Sequence, residues 1–294
     1  MFAAAKNSAA VAEPSWSNAV LADDDYKFLC QLIYQRSRIH LGPDKRVLVT
    51  SRLARRLQNL RLDGYADYCA LLRSPAGADE LPLLIDRIAT NHTHFFREPQ
   101  HFDFLRDKFL PAWRADPAAR GGPLRVWSAA SSTGEEPYSL AIHLAEHLAP
   151  AEKGAWQIDA TDISTRVLDQ ARQGVYAGER LQGLGAERVR RHFQKGEGDW
   201  AGHFRVKPEL RRRVQFHHLN LLEPPYPFPQ PFHLVVCRNV MIYFDRPTQT
   251  DLVKHLTDWL VPGGHLFVGH SESLSNLKHP FKPVQPAIFQ KPKG

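Results

Sequence analysis

The stretch SAASSTGEEPYSLA, from Ser128 to Ala141, follows the short apolar run Leu124 to Trp127. A strand-like run, a turn of small residues and a helical pattern stand in the order that nucleotide-binding folds use around a glycine-rich loop. However, Gly134 is the only glycine of the stretch, and two carboxylates, Glu135 and Glu136, follow it directly. The stretch therefore predicts a tight turn into a helix, with negative charge where a phosphate would need bare backbone N–H groups.

The sequence after this stretch keeps the same rhythm. Apolar strand-like runs alternate with helical patterns from Gly122 to the end of the chain. Such alternation predicts an α/β domain over residues 123–294, with a mostly parallel, Rossmann-like sheet covered by helices on both faces.

Residues 176–213 interrupt the alternation. Short alternating runs there flank a Gly-rich turn, KGEGDWAGHFRV, from Lys195 to Val206. These runs predict a small antiparallel β insertion, and an insertion of this kind commonly serves recognition rather than the core.

The chain before Gly122 has a helical pattern. Residues 16–90 carry apolar side chains at helical spacing without strand-like alternation, which predicts an N-terminal all-α domain. Residues 91–122 are predicted to form a further helix and a Pro/Gly-rich linker. Residues 1–15 lack the apolar core of a secretory signal and are predicted to be a disordered tail.

The composition narrows the class of protein. Of 294 residues, 43% are hydrophobic and 23% are charged, which is ordinary for a globular protein. The three scattered cysteines favour the reducing cytoplasm, and the fifteen dispersed histidines predict no metal site. No apolar run reaches the roughly 18 residues of a membrane span. No long apolar heptad pattern indicates a second copy, so a monomer is expected.

The net charge of +7 is unevenly distributed, with six basic residues and one acidic residue at positions 44–61. On a helix, Lys45, Arg52 and Arg56 fall on one line with Arg55 beside it, next to an apolar stripe that begins at Val49. The pattern predicts a helix with a basic ridge, which is either a solvated face or a docking surface for an acidic partner.

The ligand of an open parallel sheet binds at the carboxyl ends of its strands. The second strand ends in Asp162, whose carboxylate suits the hydroxyls of a ribose, unless it only caps the next helix. The chain has neither G-x-G-x-x-G nor a P-loop, and Glu135 would repel a phosphate. A nucleoside ligand with positive charge and no phosphate fits better, and S-adenosylmethionine is such a ligand. Glu136 is interpreted as an ordinary acid in a first helical turn.

Several motifs stand in order along the chain: NHTHFFRE (91–98), SAASSTGEEPYSLA (128–141), ATDIS (160–164), CRNVMIYFD (237–245) and PGGHLFVGHSE (262–272). With these motifs, nearly the whole chain resembles the CheR-type chemotaxis receptor methyltransferases. The resemblance implies a class-I S-adenosylmethionine-dependent methyltransferase. The reaction would esterify glutamate side chains on the signalling helices of chemoreceptors during sensory adaptation, with S-adenosylhomocysteine as the second product.

The resemblance also implies which residues contact the cofactor. They are Asn91, Thr93, Arg97, Glu135, Asp162, Asn220, Leu221, Arg238 and Asn239.

The chemistry of this reaction needs few groups. A glutamate carboxylate has a pKa of about 4.3 and is ionised at neutral pH, so it needs no general base. The enzyme has to desolvate and aim it. Arg97, whose fork matches a carboxylate, and Tyr243, a phenolic donor after the fourth strand, suit this role. Arg97 could instead hold the cofactor's carboxylate, and Tyr243 could be a core aromatic. Phe95 and Phe96 are predicted to pack.

Three other functions compete with this one. EPPY, at 223–226, resembles the signature of N-methyltransferases that act on proteins or nucleic acids, but it precedes the fourth strand instead of ending it. The basic helix could bind nucleic acid, yet it has no interleaved aromatic residues. A catalytically inactive docking module would not need the five residues Asn91, Arg97, Glu135, Asp162 and Tyr243 together.

Two receptor-binding surfaces are predicted. The basic ridge of Lys45, Arg52, Arg55 and Arg56 would face the glutamate-rich methylation region of a receptor. In some members of the family the β insertion docks a short peptide tethered at the receptor C-terminus. Here the Gly-rich turn with Gly196, Gly198 and Gly202 would do so, with Arg190, Arg191 and Arg205 attracting an acidic peptide, unless the insertion is only a surface hairpin.

Overall fold

The computed structural model describes residues 20–116, 122–148 and 156–293. The tail at 1–15 and part of the Pro/Gly-rich linker, residues 117–121, lie outside the described residues. The chain divides into two compact units, one of Met1–Arg36 and Leu41–Ile88 and the other of Ser37–His40 and Ala89–Gly294. The helix predicted within residues 91–122 therefore falls in the second unit. The domain boundaries proposed from the sequence stay a prediction.

The first unit is built from helices: α1 (Asp23–Ser37), α2 (Arg46–Leu60), α3 (Tyr65–Arg73) and α4 (Gly77–Ile88). The apolar stripe of α2 forms its centre, because Val49, Leu53 and Leu57 are fully buried. Helix α2 ends at Leu60, and the next residue, Arg61, has a left-handed backbone and donates its N–H to carbonyl oxygens of the last turn.

The predicted basic ridge on α2 includes Arg56, which is tied to a neighbouring helix. Its side chain is 17% exposed, and its guanidinium makes two hydrogen bonds to the buried carboxylate of Glu80, with Nε 2.7 Å from Oε1. The hydroxyl of Tyr68 donates to the same carboxylate over 2.8 Å. A buried carboxylate needs such partners, so it draws Arg56 away from solvent.

The other members of the ridge differ among themselves. Arg52 donates through Nη1 to the backbone oxygen of Ile88 within the same unit. Lys45 precedes α2 and pairs with Asp44 at 2.8 Å, and Arg55 is exposed. Lys45 and Arg55 are therefore the members that keep their charge at the surface.

The second unit begins with α5 (Pro99–Phe104), a π-helical turn (Leu105–Phe109) and α6 (Leu110–Ala115). The elements that follow are β1 (Leu124–Ala129), α7 (Glu135–His147), β2 (Trp156–Asp162), α8 (Thr165–Gln173), β3 (Val175–Ala177), α9 (Ala186–His192), β4 (Phe193–Lys195), β5 (His203–Val206), α10 (Pro208–Arg211), β6 (Val214–His218), β7 (Phe232–Cys237), α11 (Arg246–Asp258), β8 (Leu260–Val268), β9 (Lys282–Gln285) and β10 (Ile288–Gln290).

The main sheet has the order β6-β2-β1-β7-β8-β10-β9. The pairs β6–β2, β2–β1, β1–β7 and β7–β8 are parallel, while the pairs β8–β10 and β10–β9 are antiparallel. The chain moves outward from β1 to β2 and β6, and then crosses back to β7 on the other side. This reversal between β1 and β7 creates the crevice where such sheets bind ligands. The prediction of a mostly parallel α/β sheet is confirmed.

The insertion between α8 and β6 forms a second sheet of order β3-β5-β4, and both of its pairings are antiparallel. A 3-10 helix (Gly178–Leu184) follows β3, and another (Gly198–Trp200) lies in the turn between β4 and β5. The predicted antiparallel insertion is thus confirmed. Among the described residues, no helix combines the length and apolarity that crossing a membrane requires.

Candidate functional site

The loop after β1 is strained at two residues that are not glycine. Ala130 has φ 122° and Ser132 has φ 49°, in regions that L-residues rarely adopt. Two hydrogen bonds hold the loop, because the N–H groups of Ala130 and Ser131 both donate to the carbonyl oxygen of Thr161 on β2. Strain maintained by neighbouring strands at the switch point is typical of a preorganised site.

Gly134 explains why this loop carries a glycine. Its φ is 96°, and an added Cβ would lie 2.8 Å from the hydroxyl of Tyr176 and 2.9 Å from Cβ of Ala171. That hydroxyl donates to the carbonyl oxygen of Thr133. Helix α7 starts one residue later, so the glycine lets the chain turn closely against α8.

Asp162 ties the loops after β1 and β2 together. One carboxylate oxygen accepts from the N–H of Ser132 at 2.8 Å, and the other from the N–H of Ser164 at 2.9 Å. The interpretation of Asp162 as a helix cap is wrong, because Ser164 caps α8 by accepting from Val167 N–H. A contact of Asp162 with ribose hydroxyls stays a prediction.

The loop after β6 lies beside Asp162. The N–H of Leu219 donates to the carbonyl oxygen of Asp162 at 3.0 Å. Next to it, the side-chain oxygen of Asn220 accepts from Leu222 N–H, and the carbonyl oxygen of Leu221 accepts from the hydroxyl of Tyr226. The structure therefore brings Asp162, Asn220 and Leu221 to one edge of the sheet.

The interpretation of Glu136 as an ordinary helix-end acid is wrong. Its buried carboxylate accepts from Ser128 Oγ at 2.7 Å and from Arg238 Nε at 2.8 Å. Arg238, at the end of β7, also donates to the carbonyl oxygen of Arg97 at 2.6 Å, and its side chain is 3% exposed. The pair joins β1, β7 and residues 91–98 across the switch point, so Arg238 is held inside the protein.

Glu272, which sequence reasoning missed, organises the loops after β7 and β8. Its carboxylate accepts from the N–H groups of Asn239, Met241 and Gly269, at 2.8, 2.8 and 2.6 Å. Burial raises the pKa of Glu272, and these backbone donors offset part of the rise. Its position could have identified it, because Glu272 follows the last parallel strand.

Residues 91–98 lie over the same edge. The carbonyl oxygen of Asn91 accepts from Ser132 Oγ at 3.1 Å, and Phe96 N–H donates to Ser139 Oγ at 2.9 Å. Phe95 is buried against Tyr176 with ring centroids 5.0 Å apart, and Phe96 packs on Phe102. The prediction that both phenylalanines pack is confirmed.

Glu135 is covered by a residue that sequence reasoning missed. Its side chain is 0% exposed, Oε2 accepts from Thr133 Oγ1 at 2.6 Å, and Oε1 pairs with Nη2 of Arg180. Arg180 lies in the 3-10 helix after β3, so the β insertion supplies it. No motif or spacing marks Arg180 in the sequence.

The two residues predicted to aim the substrate lie on neighbouring loops. Arg97 is half-buried and donates through Nη1 to the carbonyl oxygen of His92 at 3.1 Å. Tyr243 is half-buried in the short 3-10 helix Met241–Tyr243 after β7, so it is not a fully buried core aromatic. Their catalytic roles stay a prediction.

Glu98, His101 and His270 place potential metal-ligating atoms within 4.8 Å of one another. A cation already lies among them, because Nη1 of Arg238 is 3.2 Å from His101 Nδ1 and 3.5 Å from Glu98 Oε2. Burial and the Arg238 charge lower the pKa of His101 to about 3. The group therefore surrounds an arginine instead of offering a metal centre.

The β insertion carries an open groove of about 830 Å³. Its apolar lining includes Leu181, Val189, Phe193 and Phe204, and its basic lining includes Arg190 and Lys195. Strand β4 forms one edge of the small sheet beside it. Arg191 is exposed and Arg205 donates to the carbonyl oxygen of Gln173, and neither lines the groove.

The glycines of the neighbouring turn have two distinct roles. A Cβ at Gly196 would lie 2.3 Å from the carbonyl oxygen of Trp200, so the turn closes only around glycine there. Gly198 and Gly202 have φ of 56° and 81°. Each therefore supplies a left-handed turn position that suits glycine.

Family models match both units. One described as CheR methyltransferase, SAM binding domain, matches residues 91–289, and one described as CheR methyltransferase, all-alpha domain, matches residues 24–89. A chemotaxis protein methyltransferase of Salmonella typhimurium is 44% identical over 261 residues, covering 89% of this chain and 88% of that protein. The one of Escherichia coli is 44% identical with the same coverage. Chemotaxis protein methyltransferase 2 of Pseudomonas aeruginosa is 42% identical over 90% of this chain and 92% of its own length.

Proposed function

The chain belongs to the CheR methyltransferase family, and from this premise we propose that it transfers a methyl group from S-adenosylmethionine to glutamate side chains of chemotaxis receptors. The observation that carries the proposal is the carboxyl edge of the sheet, where residues 91–98, 128–136 and 237–243 are joined by hydrogen bonds within the family match. The products are a glutamate methyl ester and S-adenosylhomocysteine.

The donor set at this edge fits S-adenosylmethionine. Asp162 and Asn220 supply acceptors and an amide for a nucleoside, and no lysine lies in the loop where a phosphate would bind. Arg97 and Arg180 place cations at this edge that can pair with a carboxylate. When bound, S-adenosylmethionine supplies a methyl group activated by a sulfonium.

The protein's task in this reaction is orientation. The substrate glutamate is already ionised at neutral pH, because its pKa is about 4.3. Arg97 offers a planar fork to that carboxylate, and Tyr243 offers a hydroxyl from the loop after β7. Holding the carboxylate oxygen in line with the methyl group can lower the barrier by several kcal/mol.

Receptor docking in the first unit rests on the surface charges of α2 and the turn before it. We expect Lys45 and Arg55 to attract a glutamate-rich segment, because both are at the surface. Arg52 and Arg56 bind other parts of their own unit, and the guanidinium of Arg56 is held by the carboxylate of Glu80.

The groove of the insertion suits a receptor tether. A short extended peptide could add to the edge strand β4, place apolar side chains against Phe193 and Phe204, and bring an acidic side chain to Lys195. Tethering raises the local concentration of the enzyme at the receptor without a new catalytic contact.

The tether is tested by calorimetry with acidic peptides from receptor C-termini. Lys195→Glu should weaken binding about tenfold or more, because a charge-assisted contact becomes a repulsive one. Arg191→Glu is the matched control, since it makes the same charge change outside the groove lining. Absence of heat at high micromolar peptide contradicts the tether.

The function is tested by incubating the enzyme with radiolabelled S-adenosylmethionine and a receptor cytoplasmic fragment, followed by mild alkali. Label released as methanol identifies a carboxyl ester. A fragment whose candidate glutamates are replaced by alanine is the control and should stay unlabelled. Alkali-stable label would contradict the proposal and support N-methylation, the other reaction considered for this fold.

The free thiols of Cys30, Cys69 and Cys237 also fit a reducing cytoplasm, which we propose as the place of the reaction. The monomeric state stays a prediction.

A further inference from the structure

A small polar pocket lies between the loops after β7 and β8, which leave the sheet at the same carboxyl edge. Its volume is about 210 Å³, below the roughly 300 Å³ at which small-molecule sites begin. Its lining includes Ile242, Arg246, Gln249, Ser271, Glu272 and Ser273. A pocket of this size and polarity suits the end of one side chain of a partner and not a whole cofactor.

The walls of the pocket are held in place by the protein itself. Gln249 Nε2 donates to the carbonyl oxygens of Met241 and Phe244, at 2.9 and 3.0 Å. On the other side, the carboxylate of Glu272 accepts from the N–H groups of Met241 and Gly269. The pocket is therefore formed before a ligand arrives, which lowers the entropic cost of binding.

Arg246 is the cation of this pocket. It is the exposed first residue of α11, and within the part of the chain that the structure describes its guanidinium has no hydrogen bond or ion pair. Arg97, Arg180 and Arg238 at the same edge of the sheet all donate to groups of the protein. Arg246 therefore keeps its planar pair of donors for a ligand.

Two carboxylates lie close to Arg246, and both are engaged by backbone groups. Asp245 caps α11 by accepting from Thr248 N–H at 3.0 Å. Glu272 is buried and accepts from three backbone N–H groups. An anionic side chain that enters the pocket therefore meets the guanidinium, while the acidic groups face the backbone.

The pocket lies next to Tyr243, one of the two residues proposed to aim the substrate. Three residue steps separate Tyr243 from Arg246, so their Cα atoms are at most about 11 Å apart. In a helical substrate, residues three or four positions apart lie on one face, about 5–6 Å from each other. Ile242, which is 51% exposed, offers an apolar contact for the methylene groups of such a neighbour.

We propose that Arg246 binds a carboxylate side chain of the receptor, one helical turn away from the glutamate that is methylated. The inference rests on the proposed function and deepens it, because it adds a residue that selects among receptor glutamates. A glutamate with an acidic neighbour at this spacing is the preferred substrate.

The test uses receptor cytoplasmic fragments that keep one methylated glutamate, and it measures transfer as alkali-released label. Aspartate and asparagine are compared at the positions three and four residues before and after that glutamate, so no new glutamate is introduced. With the wild-type chain, aspartate at one of these positions should lower the KM about threefold to fivefold relative to asparagine, as expected for a partly exposed charge pair. With Arg246→Ala this difference should disappear, while kcat stays nearly unchanged.

Lys254→Ala is the matched control variant. It removes an exposed charge from the same helix, about 12 Å further along α11 and outside the pocket, so it should keep the full difference. Arg246→Lys keeps the charge without the planar fork and should retain part of the difference. The affinity for S-adenosylhomocysteine, measured by calorimetry, should match the wild type in all three variants.

The outcomes separate the subsite from the function. If aspartate and asparagine give equal KM values at all these positions with the wild-type chain, the subsite is wrong while the methyltransferase function stands. The same holds if Arg246→Ala keeps the difference, or if Lys254→Ala removes it as well. If the wild-type chain transfers no alkali-labile label to any fragment, the proposed function is wrong and the subsite with it.

Discussion

His265 is a buried titratable side chain outside the proposed site. It lies on β8 between Phe104 and Phe109, with ring centroids 5.5 and 5.4 Å away, and among the described residues its Nδ1 has no hydrogen-bond partner. Burial lowers the pKa of His265 to about 4. The folded chain therefore keeps His265 neutral at pH values where an unfolded chain protonates it.

The sign of the pH effect follows from this difference. Between pH 6.5 and about 4 the unfolded state binds a proton at His265 that the folded state does not, so stability falls as the pH is lowered. We expect His265→Phe to reduce the loss of unfolding free energy between pH 7 and pH 5.5 by about 1 kcal/mol. Urea unfolding at both pH values, followed by tryptophan fluorescence, measures it, because Trp127 and Trp156 are buried in the folded chain.

A change in packing alone alters the free energy of unfolding equally at pH 7 and pH 5.5. The difference between the two pH values therefore reports only the protonation of His265. His255→Phe is a useful comparison because it makes the same substitution at another histidine with a buried Nδ1. An unchanged pH dependence in His265→Phe would show that the buried ring does titrate in the folded chain.

The sequence predicts which residues lie near the site better than it predicts which side chains those residues contact. Asp162 was predicted from the end of a strand, and Asn220 and Leu221 were predicted from the family resemblance; the structure brings them together because parallel strands end at one edge. Arg56 was predicted at the surface from helical spacing, but spacing carries no information on Glu80, which lies on another helix. Glu136 was misinterpreted for the same reason, since Arg238 lies far away in sequence.

At the scale of elements, Glu272 links the loops after β7 and β8 by accepting three backbone N–H groups. Gly269 is confined by this contact, because a Cβ there would lie 2.5 Å from Asn239 Nδ2 and 2.9 Å from Glu272 Oε2. The loops that hold Asn239 and Tyr243 are thus positioned by one carboxylate.

We expect Glu272→Gln to destabilise the chain by about 1–3 kcal/mol, because an amide NH₂ cannot accept the N–H groups that a carboxylate oxygen accepts. Affinity for S-adenosylhomocysteine should fall as well, since Asn239 loses its backbone anchor. Urea unfolding and calorimetry measure the two effects, and the exposed Ser271→Ala is the control in the same loop. Wild-type stability in Glu272→Gln would contradict this role.

The strand–helix alternation, the switch point and the antiparallel insertion could all be predicted from periodicity, because each depends on local pattern. The contribution of the insertion to the site could not. Arg180 reaches Glu135 only because the 3-10 helix after β3 folds back onto the loop after β1, and nothing in the local sequence encodes that contact.

At the scale of the whole molecule, the net charge of +7 should govern the encounter with an acidic receptor. The internal ion pairs of the site, such as Glu136 with Arg238, are buried and screened little by salt. We therefore expect the KM for a receptor fragment to rise several-fold between about 0.1 and 1 M salt, where the Debye length falls from about 10 to 3 Å. The affinity for S-adenosylhomocysteine should change less.

Two variants of equal net charge distinguish the effect of where a basic residue lies from the effect of the total charge of the chain. Arg55→Glu reverses an exposed charge beside the proposed receptor surface, and Arg172→Glu reverses an exposed charge on α8. If α2 guides the receptor, Arg55→Glu should raise the KM at low salt and flatten its salt dependence, while Arg172→Glu should resemble the wild type. Equal effects of both would mean that net charge alone guides the encounter, and a KM independent of salt would remove electrostatic guidance altogether.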